Sequence, residues 1–212
     1  MHQPGPNARQ PKSATRSKPA TAPGRQPGDP ASAGPPPGQD PLPQALIDFY
    51  GLAPLPREGG RFRRTWAGPE RADGRPEGSA IVMLLTSEPD DFSALHRLPA
   101  DEIWHFYRGD PLTLLLLSET GPDGARGDGR GVGGGARSVV LGPDVLGGQH
   151  VQFTVPAGTW MGAAVAEGGA WTLFGCTMAP GFTFADYEHG DAAELAARFP
   201  QEAARIAALS RP

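Results

Sequence analysis

The sequence predicts an all-β domain, a jelly-roll barrel of short strands with short helices only at its two ends. Short runs of apolar and aromatic residues recur at roughly even spacing between residues 61 and 178. Glycine, proline and aspartate interrupt these runs, as expected for tight turns between strands. Helical spacing of apolar residues occurs only near residues 41–51 and after residue 191. This combination favours a sandwich or barrel of antiparallel strands.

The chain divides into a tail, residues 1–40, and a folded domain, residues 41–212. The tail contains ten prolines and five glycines and almost no large apolar residues. It buries too little surface to offset the entropy lost on ordering, and we therefore predict that it is disordered. Five basic and two acidic residues lie in the tail, whereas the domain contains 14 basic and 21 acidic residues.

Charge and cysteine content limit the classes of partner. An acidic domain is a poor match for nucleic acid or an anionic membrane. No apolar segment reaches about 18 residues, so no transmembrane helix is predicted. The single Cys176 cannot form an internal disulfide and fits a reducing compartment, which predicts a cytoplasmic protein. We expect the main partner to be a small molecule.

The first elements of the domain are a helix and a strand. Residues 41–51 predict a short helix that packs either on the outside of the barrel or at a dimer seam. A turn at residues 58–60 leads into a strand that ends at Trp66. Alternation along this strand puts Arg63 and Thr65 on one face, which looks either into the barrel or into solvent.

The other predicted strands are apolar and aromatic runs between turns. They cover residues 79–86, 93–98, 102–108, 112–117, 139–141, 151–155, 160–165 and 171–178. The strands at 93–98 and 102–108 are predicted to form a pair that turns at residues 99–101. The unbroken leucine run at 112–117 predicts a strand that is buried on both faces.

Two segments between and after the strands have clear local signals. Eight glycines in residues 118–137 predict a flexible hairpin loop. Their spacing includes a formal dinucleotide-binding pattern, but that pattern requires a following helix, and a strand is predicted instead. Asp191, with Glu194 three residues later, is predicted to cap a helix that Pro200 interrupts. Cys176 lies inside a predicted strand and is expected to be a buried structural thiol.

The centre of the chain contains the residues best suited to chemistry. Glu102 follows His96 after six residues, and Gly109 follows after seven more. This spacing resembles the first motif of the cupin superfamily. The surrounding string, together with residues 58–66 and 179–188, resembles more closely one cupin family, known as DUF985 or cupin 5. The resemblance covers essentially the whole folded domain and implies a jelly-roll barrel like that of cupin nucleotide-sugar epimerases.

The resemblance also implies a metal site of which this sequence supplies only half. Cupin metal sites use two histidines and a glutamate from the first motif and one histidine from the second. His96 and Glu102 occupy two of these positions, but Leu98 and Met161 stand where the other histidines would be. An aliphatic side chain cannot bind a metal, and a thioether prefers soft ions. A divalent metal held by His96 and Glu102 is therefore a possible cofactor but not the favoured one.

Strand alternation bears on whether His105 can supply a third ligand. Glu102, Trp104 and Phe106 share one face of the strand, and His105 and Tyr107 share the other. A β-bulge could bring His105 to the face of Glu102. Without a bulge, either Glu102 faces the cavity and His105 faces a neighbouring sheet or subunit, or the reverse, and the cupin resemblance favours Glu102 inward. With Glu102 inward, His105 and Tyr107 are candidates for the interface of a predicted homodimer.

A barrel without metal still offers a cavity with acid–base groups. His96 and Glu102 are the candidate catalytic pair, because a carboxylate beside an imidazole supports general acid–base catalysis. Aromatic walls suit a sugar ring or another planar small molecule. The candidate ligand-binding residues are Arg63, Thr65, Trp104, Phe106, Trp160 and Met161.

Three hypotheses on function follow. The first is a metal-independent isomerase or epimerase that acts on a carbohydrate-like or other small metabolite, since some cupin epimerases work with a histidine base and a tyrosine acid. The second is a ligand-binding or sensor protein without chemistry. The third is a divalent-metal-dependent enzyme that uses His96, Glu102 and an additional donor. The fold alone does not decide among them.

Overall fold

The computed structural model describes residues 41–118 and 135–211. The tail at residues 1–40, predicted to be disordered, lies outside the described residues. So do residues 119–134, which make up most of the predicted glycine-rich loop. Its two flanks are described, and they form adjacent antiparallel strands as predicted for a hairpin.

The strands of the domain form two antiparallel sheets. The six-stranded sheet contains, in spatial order, β1 (Ala53–Pro54), β2 (Arg61–Ala67), β3 (Ser79–Thr86), β10 (Trp171–Met178), β5 (Glu102–Gly109) and β8 (Gln152–Val155). The five-stranded sheet contains β11 (Glu188–His189), β4 (Ser93–Arg97), β9 (Trp160–Val165), β6 (Leu112–Ser118) and β7 (Gly135–Leu141). Two such sheets packed face to face form a jelly roll, which confirms the predicted fold class.

Most strand bounds agree with the sequence pattern. The strands predicted at 79–86, 160–165 and 171–178 coincide with β3, β9 and β10. β7 begins earlier than predicted because it pairs with β6 along its whole length, starting with Gly135 opposite Ser118. This long-range pairing outweighs the weak strand propensity of the glycine at its start.

β4 and β5 lie in different sheets, so the prediction that they form a pair is wrong. β4 pairs with β9 and β11, whereas β5 pairs with β10 and β8. Residues 98–101 carry the chain from one sheet to the other. The local sequence indicates a turn here, but strand partners are decided by long-range contacts. The crossing puts His96 of β4 and Glu102 of β5 on facing sheets.

The leucine run of β6 is buried on both faces, as predicted. Leu112, Leu114 and Leu116 belong to the main core between the sheets. Leu115 and Leu117 belong to a second cluster, formed with the C-terminal helices on the outer face of the five-stranded sheet. All five side chains are 0% exposed. Because a fully buried leucine contributes about 1.5–3 kcal/mol, this strand is a major source of stability.

The helices are α1 (Leu42–Tyr50), α2 (Ala192–Arg198) and α3 (Ala203–Ala208). α1 packs on the outside of the six-stranded sheet through side chains that include Leu46 and Ile47. The Asp191 carboxylate accepts a hydrogen bond from the backbone N–H of Glu194 at 2.8 Å, which confirms the predicted cap. Pro200 begins a short 3₁₀ turn between α2 and α3. None of the helices in the described ranges is long and apolar enough to span a membrane.

Gly109 ends β5 in a backbone conformation, φ 97°, that favours glycine. A Cβ atom at this position would collide with the carbonyl oxygen and ring of Trp171. We expect Gly109→Ala to lower the free energy of unfolding by about 2–4 kcal/mol in urea denaturation. Gly74→Ala is the matched control, because Gly74 has φ 78° but no described atom within 4 Å of an added Cβ. Equal losses for the two variants would contradict the packing argument.

Candidate functional site

A cavity lies between the two sheets, with a volume of about 450 Å³ including its open mouth. The space open to the centre of a water molecule is only about 30 Å³, so a bound metabolite would extend into the open mouth. Strands β2, β3, β10 and β5 form one wall, and β4 contributes to the opposite wall. The apolar lining residues are Leu55, Phe62, Ile81, Leu98, Met178 and Phe182. The polar and ionisable lining residues are Glu58, Arg64, Ser79, His96, Glu102 and Cys176.

Glu102 is the first residue of β5, and alternation turns its side chain toward the cavity. Its residue surface is only 6% exposed. The indole Nε1–H of Trp104, two residues later on the same face, donates to Glu102 Oε2 at 2.9 Å. Burial is the main cause that raises the pKa of Glu102 to about 7; His96 opposes this shift, and the negative charge of Glu58 adds to it. Both protonation states of Glu102 are therefore populated near neutral pH.

His96 faces the same cavity from β4 and is 2% exposed. Its Nδ1 lies 2.7 Å from the carbonyl oxygen of Ala94. Because a carbonyl oxygen only accepts, Nδ1 carries the proton in the neutral ring, and Nε2 keeps a free lone pair. The ring also stacks on Tyr187, with centroids 5.3 Å apart. These contacts hold both the tautomer and the orientation of the imidazole.

Glu58 is a second buried carboxylate in the cavity, and its sequence pattern predicts only a turn. Its Oε1 accepts a hydrogen bond from the hydroxyl of Ser93 at 2.8 Å. Gly59 and Gly60 follow with φ of 100° and 71°, so the loop turns sharply behind it. The sequence did contain a signal for this buried carboxylate, namely an acidic residue directly before two glycines. A sharp glycine turn can direct the side chain before it into the protein.

Cys176 lines the cavity from β10, where the sequence predicted a buried structural thiol. Its side chain is 4% exposed and lies within hydrogen-bonding reach of Glu102. Burial and the two nearby carboxylates raise the pKa of this thiol well above its ordinary value. The sulfur therefore stays protonated, which is unfavourable for a nucleophile or a metal ligand.

Arg63 and Thr65 do not line the cavity. Arg63 donates to the carbonyl oxygen of Tyr50 at 2.9 Å, and the Thr65 hydroxyl donates to a β3 carbonyl. Phe62 and Arg64 face the cavity instead. The pairing of Arg64 with Ile81 decides this, because Ile81 packs against the main core and paired residues share a face.

The other four candidate ligand-binding residues lie in the cores rather than on the cavity wall. Trp104 is fully buried and stacks on Phe174, so it acts on the cavity through its hydrogen bond to Glu102. Phe106 and Met161 pack in the same core. Trp160 lies on the outer face of the five-stranded sheet, in the cluster beneath the C-terminal helices. Alternation in β9 puts Trp160 and Met161 on opposite faces.

His105 and Tyr107 lie on the outer face of the six-stranded sheet. His105 Nε2 is 3.0 Å from the Thr177 hydroxyl, and its Nδ1 is 3.1 Å from the side-chain amide of Gln152. β5 has no bulge between Glu102 and His105, so these two residues face opposite sides. Burial lowers the pKa of His105. Tyr107 is 51% exposed beside Gly175.

The Cupin_5 family profile, described as cupin superfamily (DUF985), matches residues 44–190. The chain belongs to this cupin family. A solved structure from Shewanella oneidensis shares 34% identity with this cupin at a TM-score of 0.68, covering 80% of this chain and 97% of that one. A hypothetical protein from Leishmania major shares 30% identity at a TM-score of 0.66, covering 80% and 98%. Among curated proteins, none matches this cupin.

The cavity of this cupin does not fit a divalent metal. His96 and Glu102 are present, but Leu98 and Met161 offer no suitable donors, and Met161 lies directly opposite His96 in the β4–β9 ladder. His105 is on the other side of the sheet. Across residues 41–118 and 135–211, no group of three histidine, cysteine or acidic side chains has the geometry to hold a metal ion. The donor set instead suits proton transfer.

Proposed function

We propose that this cupin binds a small metabolite, carbohydrate-like or of similar size, in its cavity and isomerises it by metal-independent proton transfer. One observation carries the proposal. Glu102, whose pKa lies near 7, and His96, whose free nitrogen is Nε2, face one largely apolar cavity from opposite sheets. An acid–base group is most effective when its pKa is close to the working pH.

The two groups have complementary roles in this proposal. His96 Nε2 takes a proton from a carbon of the substrate, and protonated Glu102 delivers a proton to another position of the same molecule. The substrate thus keeps its composition, and the enzyme returns to its starting state when a proton passes back from His96 to Glu102. The Ala94 carbonyl stabilises the protonated imidazole because it accepts from Nδ1–H.

The lining suggests the kind of ligand. Six apolar side chains suit a molecule with an apolar or planar body. Arg64 is the cationic lining residue and is exposed, with Nη2 3.5 Å from the Phe182 carbonyl. It can therefore contact an anionic or strongly polar end of the ligand near the mouth. The same apolar lining also favours the second hypothesis, a binding or sensor protein that leaves its ligand unchanged.

Native mass spectrometry of the gently purified full chain is the direct test. It reports the subunit count, any metal and any co-purified organic ligand together. The recovered ligand is then incubated with the protein in D₂O. Uptake of deuterium at carbon supports the isomerase, whereas an unchanged ligand supports the binding protein. A stoichiometric metal would contradict the metal-independent proposal.

We also propose that this cupin forms a homodimer through the outer face of β5, β10 and β8. Apart from Arg108, which pairs with Leu173 at the end of β5, the side chains on that face carry no formal charge near neutral pH, as is typical of an interface core. They are Ile103, His105, Tyr107, Gln152, Thr154 and Thr177.

His105→Glu is expected to convert such a dimer into a monomer. In a two-fold symmetric interface each substitution occurs twice, so two added charges would be buried together. Light scattering coupled to size-exclusion chromatography measures the mass. Arg71→Glu, on an exposed turn, is the control and should leave the subunit count unchanged. A wild-type chain that is monomeric at micromolar concentration would contradict the proposal.

A further inference from the structure

Arg137 is a charged residue on an inward-facing position of the jelly roll. It lies opposite Leu116 in the β6–β7 ladder, and paired residues point to the same face. Val139 and Leu141, which follow at alternate positions of β7, both belong to the main core between the sheets. Arg137 therefore extends from the same face as these core side chains, at the end of β7 next to Gly135.

The guanidinium of Arg137 has buried donors without partners. Its Nε and Nη2 are inaccessible to solvent and form no hydrogen bond with any described residue. The group lies over the ring of Phe153, with Cζ 5.0 Å from the ring centroid. A cation–π contact of this kind does not satisfy N–H donors, and burying unpaired donors is unfavourable. Such orphaned groups in a folded protein call for an explanation, and a bound ligand is one that would also satisfy the donors.

The two orphaned atoms define what the guanidinium can bind. Nε and Nη2 are the parallel donors along one edge of the planar group, which match the two oxygens of a carboxylate. The same edge is used elsewhere in this chain: Arg97 Nε and Nη2 hold the two carboxylate oxygens of Glu188 at 2.6 and 2.7 Å. Arg137 presents the same pair of donors, and no acidic side chain of the described residues forms an ion pair with it.

The surroundings favour a flat, apolar acid. The Phe153 ring lies under the guanidinium, and the His150 ring meets Phe153 edge-on at 5.6 Å. Leu116 and Val139 supply apolar surface on the neighbouring positions. The Arg137 side chain is partly exposed as a whole, but Nε and Nη2 are covered, so a ligand reaches them only when neighbouring side chains move aside. Aromatic and apolar surfaces next to a bidentate cation suit a carboxylate attached to a planar ring.

This place is distinct from the cavity of Glu102 and His96. β7 and β8 are edge strands of the two sheets, and Leu141 at the end of β7 forms a bridge with His150, two residues before β8. Neither β7 nor β8 supplies a residue to the lining of the cavity. We propose that Arg137 binds the carboxylate of a small aromatic acid between β7 and β8, as a second ligand site of this protein.

The probe for this site is benzoate, titrated calorimetrically into the full-length chain. We expect binding to wild type, a loss of affinity of at least about tenfold in Arg137→Gln, and a partial loss in Arg137→Lys, since lysine lacks the bidentate edge. Arg64→Gln removes the arginine at the cavity mouth and should bind benzoate like wild type. Glu102→Gln should also bind normally, so failure here is separable from failure of the proposed isomerase.

Two calorimetric results would overturn the proposal. One is the absence of benzoate binding to wild type. The other is benzoate binding that is unchanged in Arg137→Gln. If Arg64→Gln then abolishes that binding, benzoate binds in the main cavity instead.

A stability measurement gives an independent check that needs no ligand. Arg137→Met keeps an unbranched apolar stem, although a shorter one, and removes the guanidinium with its unpaired donors. If the guanidinium is kept for ligand binding, the variant should melt about 2–4 °C above wild type without benzoate, and benzoate should no longer stabilise it. A lower melting temperature would mean that Arg137 stabilises the fold by itself, and the binding role would be wrong.

Discussion

Glutamine in place of Glu102 is expected to reduce proton exchange between the bound metabolite and solvent by about 10²–10⁴-fold. The substitution keeps the size of the side chain and its ability to accept from Trp104, but it removes the ionisable proton. The carboxyl group supplies one half of the acid–base pair, so the chemical step should be lost while ligand binding is retained. Deuterium uptake into the co-purified ligand in D₂O, followed by mass spectrometry, measures the rate.

The control for this experiment is Glu188→Gln. Glu188 is also a strand carboxylate, but it lies at the surface and pairs with Arg97. Its substitution removes the same charge without entering the cavity, and the exchange rate should stay at the wild-type level. Exchange that proceeds equally fast in Glu102→Gln and wild type would remove Glu102 from the mechanism. A ligand that never exchanges, even in wild type, would favour the binding or sensor function.

The same substitution is expected to make the protein more stable at alkaline pH. Folding raises the pKa of Glu102 from 4.5 to about 7, mainly through burial. Between these two values the folded state binds a proton that the unfolded state has released. The free energy of unfolding therefore falls as pH rises through this window, by roughly 3 kcal/mol from this group. Below pH 4.5 Glu102 is protonated in both the folded and the unfolded state, so this group does not lower the free energy of unfolding there.

Urea denaturation at about pH 5 and about pH 8 tests this prediction. Other groups also titrate, so the informative quantity is the difference between wild type and Glu102→Gln at each pH. We expect Glu102→Gln to gain stability relative to wild type as pH rises. The exposed Glu188→Gln should show no such gain. Parallel pH profiles for wild type and Glu102→Gln would contradict a raised pKa.

A variant that gains stability at pH 8 and loses chemistry would identify Glu102 as a residue kept at a cost to the fold. An ionised carboxylate in an apolar cavity is unfavourable for stability because it has left water. The hydrogen bonds from Trp104 and Cys176 offset only part of this cost. A purely structural residue at this position would show the opposite behaviour, because its removal would lower stability and leave exchange unchanged.

Strand positions were largely predictable from the sequence because they depend on short-range patterns. Apolar runs between glycine and proline turns marked β3, β9 and β10 with the bounds that the structure has. Alternation in β5 correctly separated Glu102 from His105. The capping residue Asp191 was also recognisable, since its contact spans only three positions of the chain. The family motif around His96 and Glu102 then predicted the jelly roll.

The composition of the cavity was less predictable. Arg63 and Thr65 were candidate ligand contacts, but the pairing of β2 with β3 turns Phe62 and Arg64 inward. A shift of one residue in the pairing register moves every side chain of a strand to the opposite face. Because β2 is similarly polar on both faces, its sequence does not show which face looks inward. Trp160 was expected on an aromatic wall, yet it packs beneath the C-terminal helices.

The sequence by itself determined the all-β class, the order of the strands along the chain and the presence of His96 and Glu102, because these follow from local patterns and one motif. Only the tertiary structure decided that β4 and β5 belong to different sheets, and so that His96 and Glu102 face each other across an apolar cavity. It also added Glu58 beside them and exposed the unpaired donors of Arg137. Burial, pKa and hydrogen-bond satisfaction depend on residues far apart in the chain, and no local pattern contains them.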